Sequence, residues 1–290
     1  MKKYCDISIL FVLYDESVEI IFKSLEKIKN FNIIIIDNKG DEKLKKEIEN
    51  KYQIEKYFLS KKNLGYSKGY NKAINFCDTE FVFIKNADCF IDEIDIIKLY
   101  DYINLHQDCG IVSPTSYDKN GNLSYNGGLL PENEKTKEIL NICGDVCVQK
   151  VLGAAMFMRT KDLKKIGMFN ENLFIYFSDD DLCKKIKNIK KYIAQLYSSR
   201  SVHTHGVTKV KNIFKKTYLR ELYFTLDELI YFNEINDIRY IELKSKISSY
   251  LIKTFVNLIT LNIIKSLKYY SRIYAYIKFF NYKKSKSSKT

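Results

Sequence analysis

The chain has 290 residues, of which 46% are apolar and 29% are charged, so a packed core is expected and wholesale disorder is excluded. The formal net charge of +13 is unevenly placed. Residues 243–290 hold eleven cations and no acid, which leaves +2 on the first 242 residues. The charge therefore indicates a cationic tail and not a basic substrate cleft.

Short apolar runs alternate with helical patterns through the first hundred residues. The apolar runs predict strands at 7–13, 33–36, 54–59 and 81–84. Helical spacing predicts helices at 16–29, 41–51, 67–76 and 92–105. This alternation is typical of an α/β fold with a mostly parallel sheet covered by helices on both faces. In such sheets the ligand binds beyond the carboxyl ends of the strands, where Asp37 and Asn86-Ala87-Asp88 fall.

The amino-acid composition changes after the first hundred residues. Glycine, asparagine and both prolines concentrate between 111 and 151, which predicts irregular loops and short strands. Further strands are predicted at 151–158, 194–196 and 201–203, and helices at 162–166 and 179–187. From residue 213 onward the pattern is helical only. We therefore expect one α/β domain over 1–212 and a helical region over 213–290.

Three observations bear on the compartment. An uncharged apolar stretch of about eighteen residues, the length that crosses a bilayer, does not occur. Asp6 and Asp15 interrupt any signal-peptide core at the N-terminus. The seven cysteines are scattered and odd in number, which favours reduced thiols. We expect a cytoplasmic protein.

The first candidate site residues follow the first two strands. Asp37 ends the isoleucine strand, and Tyr14 ends the strand before it. A carboxylate there accepts hydrogen bonds from a base or a ribose hydroxyl, and a tyrosine stacks on a base. Turn chemistry at 37–40 is the alternative, and it is preferred for Asp37 taken alone.

A second candidate is the segment N-L-G-Y-S-K-G-Y-N at 63–71. Gly65 and Gly69 do not have the spacing of a dinucleotide or P-loop fingerprint. They still permit close approach of the backbone to a diphosphate before a helix N-terminus. The alternative is a plain strand-to-helix loop with Ser67 as the N-cap.

Acidic residues and histidines make up the remaining candidates. Asp88, after an apolar strand, is well placed for a hard divalent cation, although it could also cap the next helix. The run Asp179-Asp180-Asp181 beside aromatic residues suits a general base, or it is a helix start favoured by the macrodipole. His203 or His205, in V-H-T-H-G-V-T, completes a metal site or is an ordinary loop histidine.

Together and in this order, these segments resemble the family 2 glycosyltransferases, in particular their bacterial rhamnosyltransferase-like branch. The likeness covers roughly residues 6–210. Its most specific parts are N-L-G-Y-S-K-G-Y-N, N-A-D and G-M-F-N-E-N-L-F-I-Y-F-S-D-D-D-L-C. The resemblance implies the GT-A fold, a Rossmann-like sheet that binds a nucleotide sugar.

The resemblance also implies roles for individual residues. Nucleotide-sugar binding falls to Tyr14, Asp37, Asn63, Gly65, Asn71, Asn86 and Asp88. Asp88 and His203 would hold Mg²⁺ or Mn²⁺ on the diphosphate. Asp179 would be the catalytic base, and Asp181 the second acid of the same motif. The implied reaction is an inverting transfer of a sugar to a hydroxyl of a glycan or lipid-linked acceptor.

Three positions depart from the family pattern. Asp15 stands where the family commonly has asparagine, Asn86 takes a position shared by Asp and Asn, and Ser178 replaces the usual glutamate before the base. These departures leave open an alternative, a catalytically weak or inactive nucleotide-sugar-binding or membrane scaffold protein. A nucleotidyltransferase is disfavoured because residues 10–20 contain no glycine.

The tail has a helical periodicity of its own. At 100° per residue, an arc of roughly 140° contains Lys246, Lys253, Lys265, Lys268, Arg272 and Lys278. Broadly opposite lie Leu251, Phe255, Leu258, Ile259, Ile273, Ile277 and Phe280. This pattern predicts a basic amphipathic helix on an anionic membrane surface, at the inner face of the cytoplasmic membrane. A helical appendage packed on the domain is the alternative, and no motif supports nucleic acid as a partner.

Overall fold

The structure is a computed structural model that describes residues 4–124, 127–134, 143–204, 212–235 and 243–287. The chain forms two compact units. The first unit comprises Met1–Glu171 and Ser178–Lys209, and the second comprises Asn172–Phe177 and Val210–Thr290.

A nine-stranded sheet is the centre of the first unit, within the residues described. Its strands are β1 (Tyr4–Leu13), β2 (Phe31–Asp37), β3 (Lys56–Leu59), β4 (Phe81–Lys85), β5 (Cys89–Ile91), β6 (Cys109–Tyr117), β7 (Val146–Val148), β8 (Ala155–Arg159) and β9 (Tyr192–His203). The spatial order is β3-β2-β1-β4-β8-β6-β9-β5, and β7 pairs with β9.

The sheet is parallel from β3 through β2 and β1 to β4. Its isoleucine run at 33–36 is at most 1% exposed, because helices cover both faces of a parallel sheet. Beyond β4 the pairing is antiparallel, from β4 to β8 and from β8 to β6. Since parallel carboxyl ends meet at one edge, the residues after β1, β2 and β4 are brought together there.

The strands predicted at 194–196 and 201–203 are parts of one strand, β9. It pairs with β6 along most of its length, and with β7 and β5 at its two ends. The predicted gap coincides with a register shift, where Leu196 and Arg200 pair with the adjacent residues Pro114 and Thr115. The strand predicted at 151–158 begins only at Ala155, because residues 152–154 belong to a turn that faces the candidate site.

Six helices of the first unit pack around the sheet within the described residues. They are α1 (Val18–Glu26), α2 (Glu42–Lys51), α3 (Gly65–Asn75), α4 (Glu93–Leu105), α5 (Thr160–Lys165) and α6 (Ser178–Asn188). Helix α3 starts at Gly65 with φ of +75°, a left-handed conformation that suits glycine. Ser67 is therefore inside α3 and fully buried, and it does not cap the helix.

The second unit contains α7 (Ile213–Glu234), α8 (Leu243–Ile259) and α9 (Ile263–Ser287). The single long helix projected for the tail is wrong, since α8 and α9 are separated by a break at which Leu261 has φ of +57°. Across this break, Ser266 Oγ donates to the Thr254 carbonyl at 3.0 Å, and the rings of Tyr250 and Tyr269 stack at 5.8 Å. Helix α9 thus folds back along α8.

The fully buried Asp227 of α7 organises the segment Asn172–Phe177. Its Oδ1 accepts the backbone N–H of Phe174 at 3.0 Å, and its Oδ2 accepts those of Ile175 and Tyr176, each at 2.9 Å. Burial raises the pKa of Asp227 to about 6, against the lowering effect of these three hydrogen bonds. A polar side chain on α7 therefore fixes the backbone of this segment.

The expected α/β class is confirmed, with a mostly parallel first half of the sheet, covering helices and C-terminal helices. Among the described helices, none has the length and apolar content that crossing a bilayer requires.

Candidate active site

Asp88 and His203 lie side by side at the carboxyl end of β4. The residue after Asp88, Cys89, is paired with His203 in the β5–β9 ladder. The backbone N–H of Thr204 donates to the Asp88 carbonyl at 3.1 Å, which holds the two segments together. As a result, His203 Nε2 is 3.3 Å from Asp88 Oδ1. The structure thus brings together the two residues predicted as metal ligands.

Asn86 is tied to helix α3 through Tyr70. The Tyr70 hydroxyl lies 3.1 Å from the Lys85 carbonyl, to which it donates, and 3.4 Å from Asn86 Oδ1. Burial raises the pKa of Tyr70 far above its usual value, so the hydroxyl keeps its proton and remains a donor. The motif at 63–71 and the N-A-D motif are therefore one structural assembly.

Asp179 is held by the turn that precedes β8. The backbone N–H of Gly153 donates to Asp179 Oδ2 at 2.8 Å, and the Gly153 carbonyl accepts from the Tyr66 hydroxyl at 2.6 Å. The next residue, Ala154, accepts the backbone N–H of Asn86 through its carbonyl at 3.0 Å. One turn thus connects the candidate base with the segment that holds Asp88.

The three successive acids of α6 have three different environments. Asp181 forms an ion pair with Lys185 one turn later, at 2.9 Å. Asp180 is buried and pairs with Lys150 at 3.1 Å. Burial, reinforced by the charge of Asp179, raises the pKa of Asp180 to about 7. The neighbour that interacts electrostatically with Asp179 is therefore Asp180, which the sequence did not single out, whereas Asp181 is engaged within its own helix.

Ser178, which departs from the family pattern, is fully buried. Its Oγ accepts a hydrogen bond from Ser67 Oγ at 2.8 Å. The two hydroxyls form the contact between α3 and the start of α6, a place with little room for a larger acid. Ser178 thus has a packing role in this chain.

Asp37 has four hydrogen-bond donors around its carboxylate. Its Oδ1 accepts the backbone N–H groups of Lys39 at 2.8 Å and Gly40 at 3.0 Å. Its Oδ2 accepts from the Asp41 backbone at 3.0 Å and from the Tyr57 hydroxyl at 3.3 Å. Four lone-pair sites are all that a carboxylate offers. Asp37 therefore organises its turn, as the alternative interpretation held, and its contact with a nucleobase stays a prediction.

Asn63, Gly65 and Asn71 all have hydrogen-bond partners within the protein. Asn63 Oδ1 accepts the Gly65 N–H at 2.9 Å, and the Gly65 carbonyl accepts from Asn38 Nδ2 at 3.0 Å. The Asn71 amide is buried and exchanges hydrogen bonds with both backbone groups of Phe169, each at 3.0 Å. Asn71 thus clamps the segment before Glu171, and its expected contact with the donor stays a prediction.

Two charged residues near the site were missed by the sequence interpretation. Glu16 Oε2 accepts the Tyr14 N–H at 2.6 Å. Burial, together with the charges of Asp88 and Asp37, raises the pKa of Glu16 to about 7. Lys85 is fully buried, donates to the Asn86 carbonyl at 3.1 Å, and has its pKa lowered to about 8 by burial. The sequence did contain a signal for Lys85, because it is a lysine at the end of the otherwise apolar strand β4.

The donor atoms at this site suit a divalent ion. Within the described part of the chain, no group of three or more His, Cys, Asp and Glu side chains could hold a metal by itself. Mg²⁺ and Mn²⁺ sites of phosphate-handling enzymes take only one or two protein ligands, and phosphate oxygens and water complete them. The carboxylate of Asp88 beside the imidazole of His203 fits that pattern. His205 lies outside the described residues.

Comparison with known proteins decides the family. The model of the family described as "Glycosyl transferase family 2" matches residues 8–167, which is more than half of the chain. This chain belongs to glycosyl transferase family 2. The match begins within β1 and contains β2 to β4, the N-A-D motif and the turn at 153–154. The family expected from the motifs is therefore confirmed, whereas the roles of Asp179 and His203, which lie beyond the matched residues, stay predictions.

Two archaeal relatives extend the likeness beyond the matched domain. The low-salt glycan biosynthesis hexosyltransferase of Haloferax volcanii is 24% identical over 272 residues, covering 85% of this chain and 83% of the relative. An uncharacterized glycosyltransferase of Methanocaldococcus jannaschii is 24% identical over 251 residues, covering 75% of this chain and 85% of the relative. The rhamnosyltransferase-like branch is not among these names and stays a prediction.

Two solved structures share the fold of this family 2 glycosyltransferase. GalNAc-T7, crystallised with UDP, GalNAc and Mn²⁺, superposes with a TM-score of 0.57 at 13% identity. TarS of S. aureus superposes with a TM-score of 0.53 at 19% identity. The matches cover 77% and 76% of this chain but only 49% and 39% of those proteins. At these identities the likeness establishes the fold alone.

Proposed function

We propose that this protein transfers a hexosyl group from a nucleotide-diphosphate sugar to a hydroxyl of a glycan or a lipid-linked acceptor, with inversion at the anomeric carbon. The observation that supports this most is the turn at 153–154, which is hydrogen-bonded on one side to Asp179 and on the other to Asn86. The candidate base and the segment that carries Asp88 are thereby connected by one hydrogen-bonded turn.

Asp88 and His203 would hold Mg²⁺ or Mn²⁺ against the diphosphate. When bound, the ion would neutralise the charge that develops on the leaving diphosphate. GalNAc-T7 was crystallised with UDP and Mn²⁺ together, which supports a divalent ion in this fold. Glu16 and Asp37, with Tyr14, Asn63, Gly65 and Asn71, would lie on the nucleotide side of the same site.

Asp179 would accept the proton of the attacking hydroxyl. The Gly153 N–H bonds Oδ2 of its carboxylate and thereby fixes its rotation. A single base is sufficient for one displacement from the face opposite the leaving group, and such a displacement inverts the anomeric centre.

The name of the Haloferax relative, a hexosyltransferase of glycan biosynthesis, supports a glycan acceptor. We propose a cytoplasmic enzyme that works at the inner face of the membrane on a growing glycan or its lipid carrier. Nucleic acid has no part in this proposal.

Measurements of donor binding and turnover test the proposed function. We expect one sugar among UDP-, dTDP- and GDP-linked donors to raise the melting temperature, more strongly with Mn²⁺. Asp88→Asn and His203→Gln should abolish the Mn²⁺-dependent part of the shift. Asp118→Asn, in an exposed turn, is the matched control and should behave as wild type. A wild-type protein that neither binds nor turns over any of these donors would contradict the proposal.

A further inference from the structure

Helix α8, the break after it and the first two residues of α9 expose a group of large apolar side chains, which we call the α8 face. Ile252 is 65% exposed, Phe255 is 64% exposed and Leu261 is 82% exposed. The full set comprises Leu251, Ile252, Phe255, Val256, Leu258, Ile259, Leu261, Ile263 and Ile264. Scattered exposed apolar residues are normal on proteins, but a contiguous group of this size marks an interaction surface.

The α8 face is separate from the contact between α8 and α9. At 100° per residue, the six α8 members span an arc of roughly 160°. The side that meets α9 is different, and it carries Tyr250, which stacks on Tyr269, and Thr254, whose carbonyl accepts from Ser266. Helix α8 thus contacts α9 on one side and leaves a wide apolar side uncovered. An apolar stripe of this width on a helix is normally covered by an apolar environment.

The charges around the α8 face indicate what covers it. Residues 243–290 contain no acid, and Lys246, Lys253 and Lys265 are exposed. Lys246 and Lys253 project outside the apolar arc of α8, and Lys253 Nζ lies 5.6 Å from the centroid of the Tyr269 ring. Further along α9, Arg272 and Lys286 are engaged with acids of α7, at 2.7 Å from Glu221 and 2.8 Å from Glu234. A second copy of the chain would bring its own cations against these, and like charges would oppose that pairing.

We propose that the α8 face inserts into the surface of an anionic lipid bilayer, with its apolar side chains at the boundary of the acyl region and the surrounding cations of the acid-free region attracted to the headgroups. An apolar helix face in a region that carries only cations has the composition of helices that lie in this interface. The proposal deepens the proposed location of the enzyme, and it moves the membrane contact from the predicted cationic helix to α8 and the α8–α9 break.

The chain has no tryptophan, so one introduced tryptophan reports its own surroundings. We expect Phe255→Trp emission to shift to the blue on vesicles of phosphatidylcholine with about 25% phosphatidylglycerol. The matched control is Leu105→Trp, on the 81% exposed Leu105 at the end of α4, which should show no shift. A Phe255→Trp protein whose emission is unchanged by these vesicles would overturn the proposal.

Flotation of the full chain provides the second measurement. Replacing Ile252, Phe255 and Ile259 together by serine should lower the vesicle-bound fraction about tenfold or more, whereas Lys253→Gln with Lys265→Gln should weaken binding only to anionic vesicles. Because the three sites are exposed, the circular dichroism should be unchanged. If the serine variant floats like wild type, the lipid assignment is wrong. It is also wrong if wild type is a dimer in light scattering and the serine variant loses that dimer while it still binds lipid. Neither readout depends on sugar transfer, so failure here and failure of the proposed function are distinguishable.

Discussion

The backbone N–H of Gly153 lies 2.8 Å from Oδ2 of Asp179 and donates a hydrogen bond to it. Tyr66 packs against the same glycine, and its hydroxyl donates to the Gly153 carbonyl at 2.6 Å. A Cβ added at Gly153 would collide with the Tyr66 hydroxyl and lie 3.3 Å from Cβ of Asp179. The candidate base is therefore positioned by a residue that has no side chain, because none fits.

Gly153→Ala should disturb this arrangement directly. The added methyl group displaces either Tyr66 or the turn. We therefore expect the rate of sugar transfer to fall by about tenfold or more, and the free energy of unfolding to fall by about 1–3 kcal/mol. Steady-state kinetics and urea unfolding measure both effects. Gly144→Ala is the control, since a Cβ there meets no atom within 4 Å. Equal behaviour of the two variants would show that the Gly153 contact does not position Asp179.

Asp179 and Asp181 should differ sharply in their effect on activity. Asp179→Asn removes the proposed base and should reduce kcat by about 10²–10⁴. Asp181→Asn should reduce kcat only a few fold, because the Asp181 carboxylate is paired with Lys185 at 2.9 Å. Circular dichroism of both variants checks that each is folded. A comparable loss of kcat in the two variants would instead assign Asp181 a direct part in catalysis.

Glu16 should make stability depend on pH with a definite sign. Burial raises the pKa of Glu16 from 4.5 to about 7 in the folded protein. Between these pH values the native state binds more protons than the unfolded state, so the free energy of unfolding falls as pH rises through this window. Glu16→Gln removes that contribution. We expect the free energy of unfolding of the variant, relative to that of wild type, to be higher at about pH 8 than at about pH 4.5. Urea unfolding of both proteins at both pH values measures this difference. A difference that does not depend on pH would contradict the assignment.

Asp227→Asn should loosen the segment Asn172–Phe177. The substitution replaces one acceptor oxygen by an N–H₂ group that faces a backbone N–H, so a fully buried site loses a hydrogen bond, at a cost of about 1–3 kcal/mol. Chymotrypsin should then cut faster after the aromatic residues of this segment. Asp101→Asn, on the exposed surface of α4, is the control. Unchanged cleavage in Asp227→Asn would mean that its three hydrogen bonds are dispensable.

Local patterns predicted the repeating elements well. The isoleucine run at 33–36 and the apolar spacing of α1 are properties of neighbouring residues, and the structure has both elements within a few residues of the prediction. The two short strands predicted at the end of the domain were wrong as separate elements. A register shift at Pro114 and Thr115 of β6 explains the gap in β9, and no sequence window around 197–199 contains that information.

For the candidate site, too, local patterns predicted some residues and missed others. Motif spacing identified Asp88, His203 and Asp179, and the structure pairs the first two through the β5–β9 ladder. Motif spacing did not identify Glu16 or Asp180, because their raised pKa values depend on burial and on the charges around them in the folded protein. For Asp37, turn geometry filled every acceptor position, a result that composition cannot anticipate.

The sequence by itself determined the alternation of strands and helices, the family motifs and the cationic tail, since each depends on residue type and local spacing. Only the tertiary structure decided which side chains meet: Gly153 with Asp179, Ser178 with Ser67, and Asp227 with the segment before Ser178. It also decided which face of α8 is left uncovered. These outcomes depend on desolvation and packing among residues far apart in the chain, where the free energy of a contact is set by the whole fold.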